Sequence, residues 1–122
     1  EFLKEIVNVG PLKLAQCPSF YNRMDAVVFP SLLECFSAVP IEAMMLKKPL
    51  FASDLPFIRD CCHSYANYFD PLDAESIAKS IARFFVRSEV ERSQFVNDAN
   101  AFVLTYPGPD KRALSYLEII KR

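Results

Sequence analysis

Glu34 and Glu42 are the side chains whose type and spacing bear most directly on chemistry. They lie eight positions apart in the stretch Pro30 to Asp54, PSLLECFSAVPIEAMMLKKPLFASD. A carboxylate accepts two hydrogen bonds side by side, so the vicinal diol of a ribose or hexose is a natural partner for each acid. Ser37 is the expected N-cap of the helix that holds Glu42, and the free N–H groups near Ala38 and Val39 would then suit an anion such as pyrophosphate. Pro40 fits the first helical turn, where its missing N–H would have had no partner. Glu34, bounded by Leu33 and Phe36, is expected to be partly buried, where a carboxylate must find donors. A plainer reading stands beside this one. Glu42 could simply complement the helix dipole, and Glu34 could pair with Lys47, Lys48 or Arg23.

The elements that must position these acids follow from the pattern around them. Ala26, Val27, Val28 and Phe29 form an unbroken apolar run that suits a strand covered on both faces and stops at Pro30. Ile41 to Lys47 has helical composition and is ended by Pro49; Leu50, Phe51 and Ala52 are the next strand. Strand, loop, helix, strand is the layout of a parallel crossover, and ligands of such sheets sit beyond the carboxyl ends of the strands.

Upstream, Ile6 to Val9 is expected as a short strand ending at Gly10-Pro11, and Pro18 suits the first turn of a helix carrying Phe20, Tyr21 and Met24 inward. Downstream, the segment LPFIRDCCHS has no sustained period and is expected as a loop with one helical turn. Tyr65 to Phe69 is expected as a further strand. Asp73 caps a helix with the stripe Ile77, Ile81, Phe84, Phe85. Ser88 and Glu91 form a capping-box pattern that opens a second stripe, Phe95, Ala99, Phe102, Val103. After the break at Tyr106-Pro107-Gly108-Pro109, Asp110 to Arg122 is a last helix with Leu114, Leu117 and Ile120 on one face. The expectation is one α/β domain over 1–122, with a parallel sheet of three to four short strands in 1–86 and C-terminal helices in 87–122.

Composition narrows the function classes. The chain has 122 residues, enough for a single core, with 52% apolar residues, 24% charged and a net charge of −1. That argues against a disordered chain and offers no basic field for nucleic acid. No apolar run reaches the length of a membrane span, and the N-terminal residues lack the pattern of a signal peptide. Cys17, Cys35, Cys61 and Cys62 have no metal-ligand spacing, so reduced, mostly buried thiols in a cytosolic protein are the expectation. His63, the single histidine, has no base or nucleophile partner nearby in sequence. The two glycines, Gly10 and Gly108, exclude a P-loop and a G-x-G-x-x-G turn.

The string FPSLLECFSAVPIEAMMLKKPLFASD resembles the signature of the group 1, or family 4, retaining glycosyltransferases, which have the two-Rossmann GT-B architecture. Pro30, Ser31, Glu34, Phe36, Glu42, Ala43, Met44, Pro49, Ser53 and Asp54 match that pattern in order, with seven residues between the acids. The resemblance runs from about Val9 to Phe85 and includes YFDPLD. It implies transfer of a hexose from a nucleotide-diphosphate sugar to a hydroxyl acceptor, with retention, in enzymes that often build cell-surface polysaccharide or lipid-linked glycan.

Carried across, Glu34 resembles the catalytic, sugar-side acid and Glu42 the acid that accepts the nucleotide ribose. Phe36, Ser37 and Ala38 would face the sugar and diphosphate, and Ser31 joins them as a donor-binding position. The resemblance implies no metal and no cofactor beyond the donor substrate. It also implies a cytoplasmic enzyme, with peripheral membrane association of the full-length protein allowed. Cys35 and Ser37 depart from the family by standing where it commonly has glycines, and their Cβ atoms disfavour positive φ. An N-terminal acceptor domain and a basic Arg/Lys pair belong to complete members, so this chain resembles the latter part of the donor-binding domain. Alone it is expected to be inactive and to self-associate. A non-catalytic Rossmann-like binding or interaction module is the rival reading.

Overall fold

The computed structural model describes residues 5–121. Its centre is a three-stranded parallel sheet in the order β1 (Val27–Phe29), β2 (Leu50–Ser53), β3 (Asn67–Phe69). Val27 pairs with Leu50 and Phe29 with Ala52, while Phe51 pairs with Asn67 and Ser53 with Phe69. Strand β1 joins β2 through helix α2 (Val39–Met45), and β2 joins β3 through α3 (Pro56–Cys62). Parallel neighbours cannot be linked by a tight turn, so each crossover needs such an element. Before the sheet lie a single turn at Leu14–Gln16 and helix α1 (Cys17–Asn22) with Pro18 in its first turn. After it come α4 (Ala74–Phe85), α5 (Glu89–Val103) and α6 (Pro109–Ile120). Among the described residues no helix is long and apolar enough to cross a membrane.

Strand β2 is buried at every position, and its alternating side chains feed two separate cores. Leu50 and Ala52 pack with Ala43 and Met44 of α2, Ile58 and Cys62 of α3, and Ala99 and Val103 of α5. Phe51 points the other way, to Phe69 and to Phe84 of α4, with Ile77 and Ile81 alongside. The sheet is therefore covered on both faces at β2, whereas β1, expected to be covered on both faces, is an edge strand and leaves Val28 45% exposed. Phe51 and Phe84 meet edge to face at 5.6 Å. Asn100 of α5 donates to the carbonyls of Met44 (3.1 Å) and Met45 (2.9 Å), supplying partners to the end of α2.

The caps read from the sequence are present. Asp73 Oδ1 accepts from the Glu75 N–H at 2.8 Å, and Ser88 and Glu91 make the reciprocal capping box. Three further expectations need correction. Residues 6–9 form no strand, because Ile6, Val7 and Val9 are exposed and Asn8 Oδ1 accepts from the Gly10 N–H at 2.8 Å, turning the chain at a glycine with φ 70°. The sheet among the described residues accordingly has three strands. The segment expected as a loop forms α3, whose Ile58 and Cys62, one turn apart, insert into the core. Helix α2 begins at Val39 with Ala38, not Ser37, at its N-cap and no side-chain capping bond. Pro40 takes one of the first two helical positions, which leaves Ser37 one residue too early.

Candidate functional site

The loop 30–38 leaves the carboxyl end of β1 and delivers both acids to that edge of the sheet. Glu34 lies in the loop and Glu42 in the first turn of α2. Both are partly buried. Ser31 Oγ donates to Glu34 Oε1 at 3.0 Å, so the loop orients its own carboxylate. Tyr21 Oη donates to Glu42 Oε2 at 3.0 Å from α1, twenty-one residues away. Burial and this carboxylate push the Tyr21 phenol up to about 12, so it remains a donor throughout the neutral range. The lysine and arginine partners that the plainer reading offers Glu34 are not its partners here. Lys48 Nζ instead donates to the carbonyls of Asn22 (3.1 Å) and Met24 (2.8 Å).

The two acids line adjoining depressions. A groove of about 410 Å3 is bounded by Phe36, Ala38, Ile41 and Glu42 on one side and by Tyr106, Pro107 and Arg112 on the other. That volume lies within the range of small-molecule sites. A smaller depression, about 60 Å3, is lined by Glu34, Cys35, Phe36, Ser37 and by Phe57, Ile58 and Cys61 of α3. Phe36, mostly exposed, lines both. The structure thus gathers Ser31, Phe36 and Ser37 around the first acid, Glu34, and Phe36 and Ala38 beside the second. The backbone departure at Cys35 and Ser37 is accommodated, since among the described residues only Lys47 and His63 carry positive φ without being glycine.

Tyr21 meets Glu42 although its sequence position marks it only as an inward-facing helix residue. Its signal is the place of α1 immediately before β1, which sets it beside α2 across the crossover. Arg112 lines the groove beside Glu42, and nothing in the sequence brings α6 back toward α2. At the carboxyl end of β2, Asp54 accepts from both Nε and Nη2 of Arg59, and that hydrogen bonding holds the Asp54 carboxyl below its usual range. The Arg59 guanidinium also lies 4.3 Å from the centre of the Tyr68 ring. Cys62 is pushed up by its contact with the Cys61 thiol and by burial; all four cysteines are free, but contrary to expectation only Cys62 is buried and Cys35 is exposed, because it lies in the loop outside the core. Among the described residues no three His, Cys, Asp or Glu side chains gather into a metal-holding group.

The family model described as "Glycosyl transferases group 1" matches residues 3–102. The chain is similar to the O-antigen chain mannosyltransferase RfbU of Salmonella typhimurium, with 36% identity over 80 residues. That stretch covers 66% of this chain and 21% of the Salmonella protein, so the chain spans only a small part of its relative's length.

Proposed function

Because this chain belongs to the group 1 glycosyl transferases, we propose that it forms the donor-binding part of an enzyme that transfers a hexose from a nucleotide-diphosphate sugar to a hydroxyl acceptor with retention. Glu42 is the observation that carries this reading. Glu42 lines a groove of ligand size at the carboxyl edge of a parallel sheet, and one of its carboxylate oxygens is already oriented by a donor. A ribose diol in that groove would donate to the remaining acceptor positions of the carboxylate.

Glu34 is the sugar-side acid. Held by Ser31, it would accept from hydroxyls of the transferred hexose and place negative charge beside the anomeric carbon. Positive charge develops at that carbon as its bond to the diphosphate breaks, so a fixed carboxylate there favours the transition state over the ground state. Phe36, Ser37 and Ala38 lie between the two acids and would face the sugar and the diphosphate. The acceptor side and further neutralisation of the phosphates would come from residues beyond these elements. The small share of the Salmonella relative that aligns here supports that division. Mannose, named for that relative, is the first hexose to test.

Calorimetric titration of the chain with uridine and guanosine diphosphate sugars, mannose among them, tests the reading. One ribonucleoside diphosphate sugar should bind, its 2′,3′-dideoxy counterpart should bind more weakly, and the chain alone should not turn it over. Equal affinity for the two would overturn the assignment of Glu42. Failure to bind any of them would favour a Rossmann-like module with a different ligand.

A further inference from the structure

We infer that Tyr21 is a positioning residue for the nucleotide ribose, acting through Glu42. This rests on the reading of Glu42 as the ribose-side acid. The Tyr21 hydroxyl donates to Glu42 Oε2 at 3.0 Å, and both side chains are partly buried between α1 and α2. A carboxylate offers about four acceptor positions, so one phenolic donor leaves Oε1 and the outer side of Oε2 for a diol. Two parallel hydrogen bonds to adjacent hydroxyls need the carboxylate plane fixed. A glutamate free to rotate about its side-chain bonds would have to be ordered when the ligand binds.

Helix α1 is itself secured to do this. Lys48, just beyond the far end of α2, donates to the carbonyls of Asn22 and Met24 where α1 ends. Helix α2 therefore grips α1 at two points, Glu42 at its start and Lys48 past its end. The phenol, pushed up to about 12 by burial and by Glu42, does not ionise in the neutral range and cannot repel its acceptor there. Tyr21 supplies no atom to the reaction. It sets the orientation of the group that meets the ribose.

The test uses calorimetry of the chain with guanosine and uridine diphosphates in ribose and 2′,3′-dideoxy forms. The variants are Tyr21→Phe, Glu42→Ala and the double substitution. Tyr21→Phe keeps the ring and should weaken binding of the preferred ribonucleotide about five- to tenfold, the scale of one ordinary hydrogen bond. The dideoxy form should bind unchanged, which also verifies that the variant is folded. In the Glu42→Ala background Tyr21→Phe should cost nothing more. Equal losses on both nucleotides would make Tyr21 a packing residue and overturn the inference, as would no loss on either. If the unsubstituted chain itself shows no preference for ribose, the assignment of Glu42 fails and that of Tyr21 falls with it. The unsubstituted chain thus decides Glu42, and the variant decides Tyr21.

Discussion

A partly buried carboxylate with one fixed donor is still mostly unspent as an acceptor, and this chain holds two of them on one loop-and-helix unit. The difference in their surroundings predicts different kinetic signatures. Glu42 lines the large groove, so Glu42→Ala should weaken nucleotide binding by about 1–3 kcal/mol through lost hydrogen bonds. Glu34→Gln, in the complete enzyme, should lower kcat more than it raises the donor Kd, because its charge matters most as the glycosidic bond breaks. Titration calorimetry and steady-state rates separate the two, and the reverse pattern would exchange the roles.

Tyr21 adds a pH dependence. Its folded pKa is raised to about 12 by burial, by Glu42 and by Cys17 one turn earlier on α1, whereas an unfolded tyrosine ionises near 10. The stability it contributes is therefore fully present below about pH 10 and is lost as pH rises toward 12. The difference in melting temperature between the unsubstituted chain and Tyr21→Phe should be constant up to that point and shrink above it. A difference independent of pH to 12 would show that the hydroxyl is not held by Glu42.

Helix ends decide how the elements deliver these residues, and the end of α2 carries visible strain. Lys47 has φ 54°, the N–H of Lys48 reaches the carbonyl of Ala43 at 2.8 Å, and that of Lys47 reaches Met44 at 3.1 Å. This is a Schellman motif with lysine where glycine is favoured. Lys47→Gly should raise stability by about 1 kcal/mol, seen as an increase of a few degrees in Tm. No increase would mean that the lysine side chain compensates. Conversely, Ser88→Ala removes the α5 capping box and should cost about 1 kcal/mol in chemical denaturation.

The same elements show where sequence pattern suffices. Strands β1 and β2, their parallel pairing and the long helices α4 and α5 were legible, because buried runs, stripes and caps repeat over enough residues to be counted. Helix α3 was not. Seven residues give no period, and its two buried positions, Ile58 and Cys62, acquire meaning only against β2. Ile6 to Val9 failed for the opposite reason. An apolar run becomes a strand only beside a partner, and here Asn8 and Gly10 turn the chain first. The motif singled out both acids, and the structure sets them on one loop-and-helix unit. The hydrogen bond from Tyr21 was invisible because it depends on how α1 and α2 are placed in space.

At the scale of the whole molecule, apolar surface is unevenly covered. Strand β2 is sealed on both faces, but β1 is an edge strand whose Val28 is 45% exposed. Helix α6 has no buried residue, and Leu114, Leu117 and Ile120 stand out from it together with Tyr116 and Ile119. A helix with an apolar face gains little from folding unless that face is covered. With a net charge of only −1, long-range repulsion between copies is weak. The 122-residue chain should therefore self-associate, with α6 of one copy covering apolar surface of another about a two-fold axis. Pro107-Gly108-Pro109 provides the hinge for such an exchange. Sedimentation velocity should give a dimer at micromolar concentration, and a chain ending at Tyr106 should sediment as a monomer with β1–β3 intact by circular dichroism. A monomeric full chain would overturn the prediction. If the shortened chain still dimerises, the contact runs through the β1 edge instead.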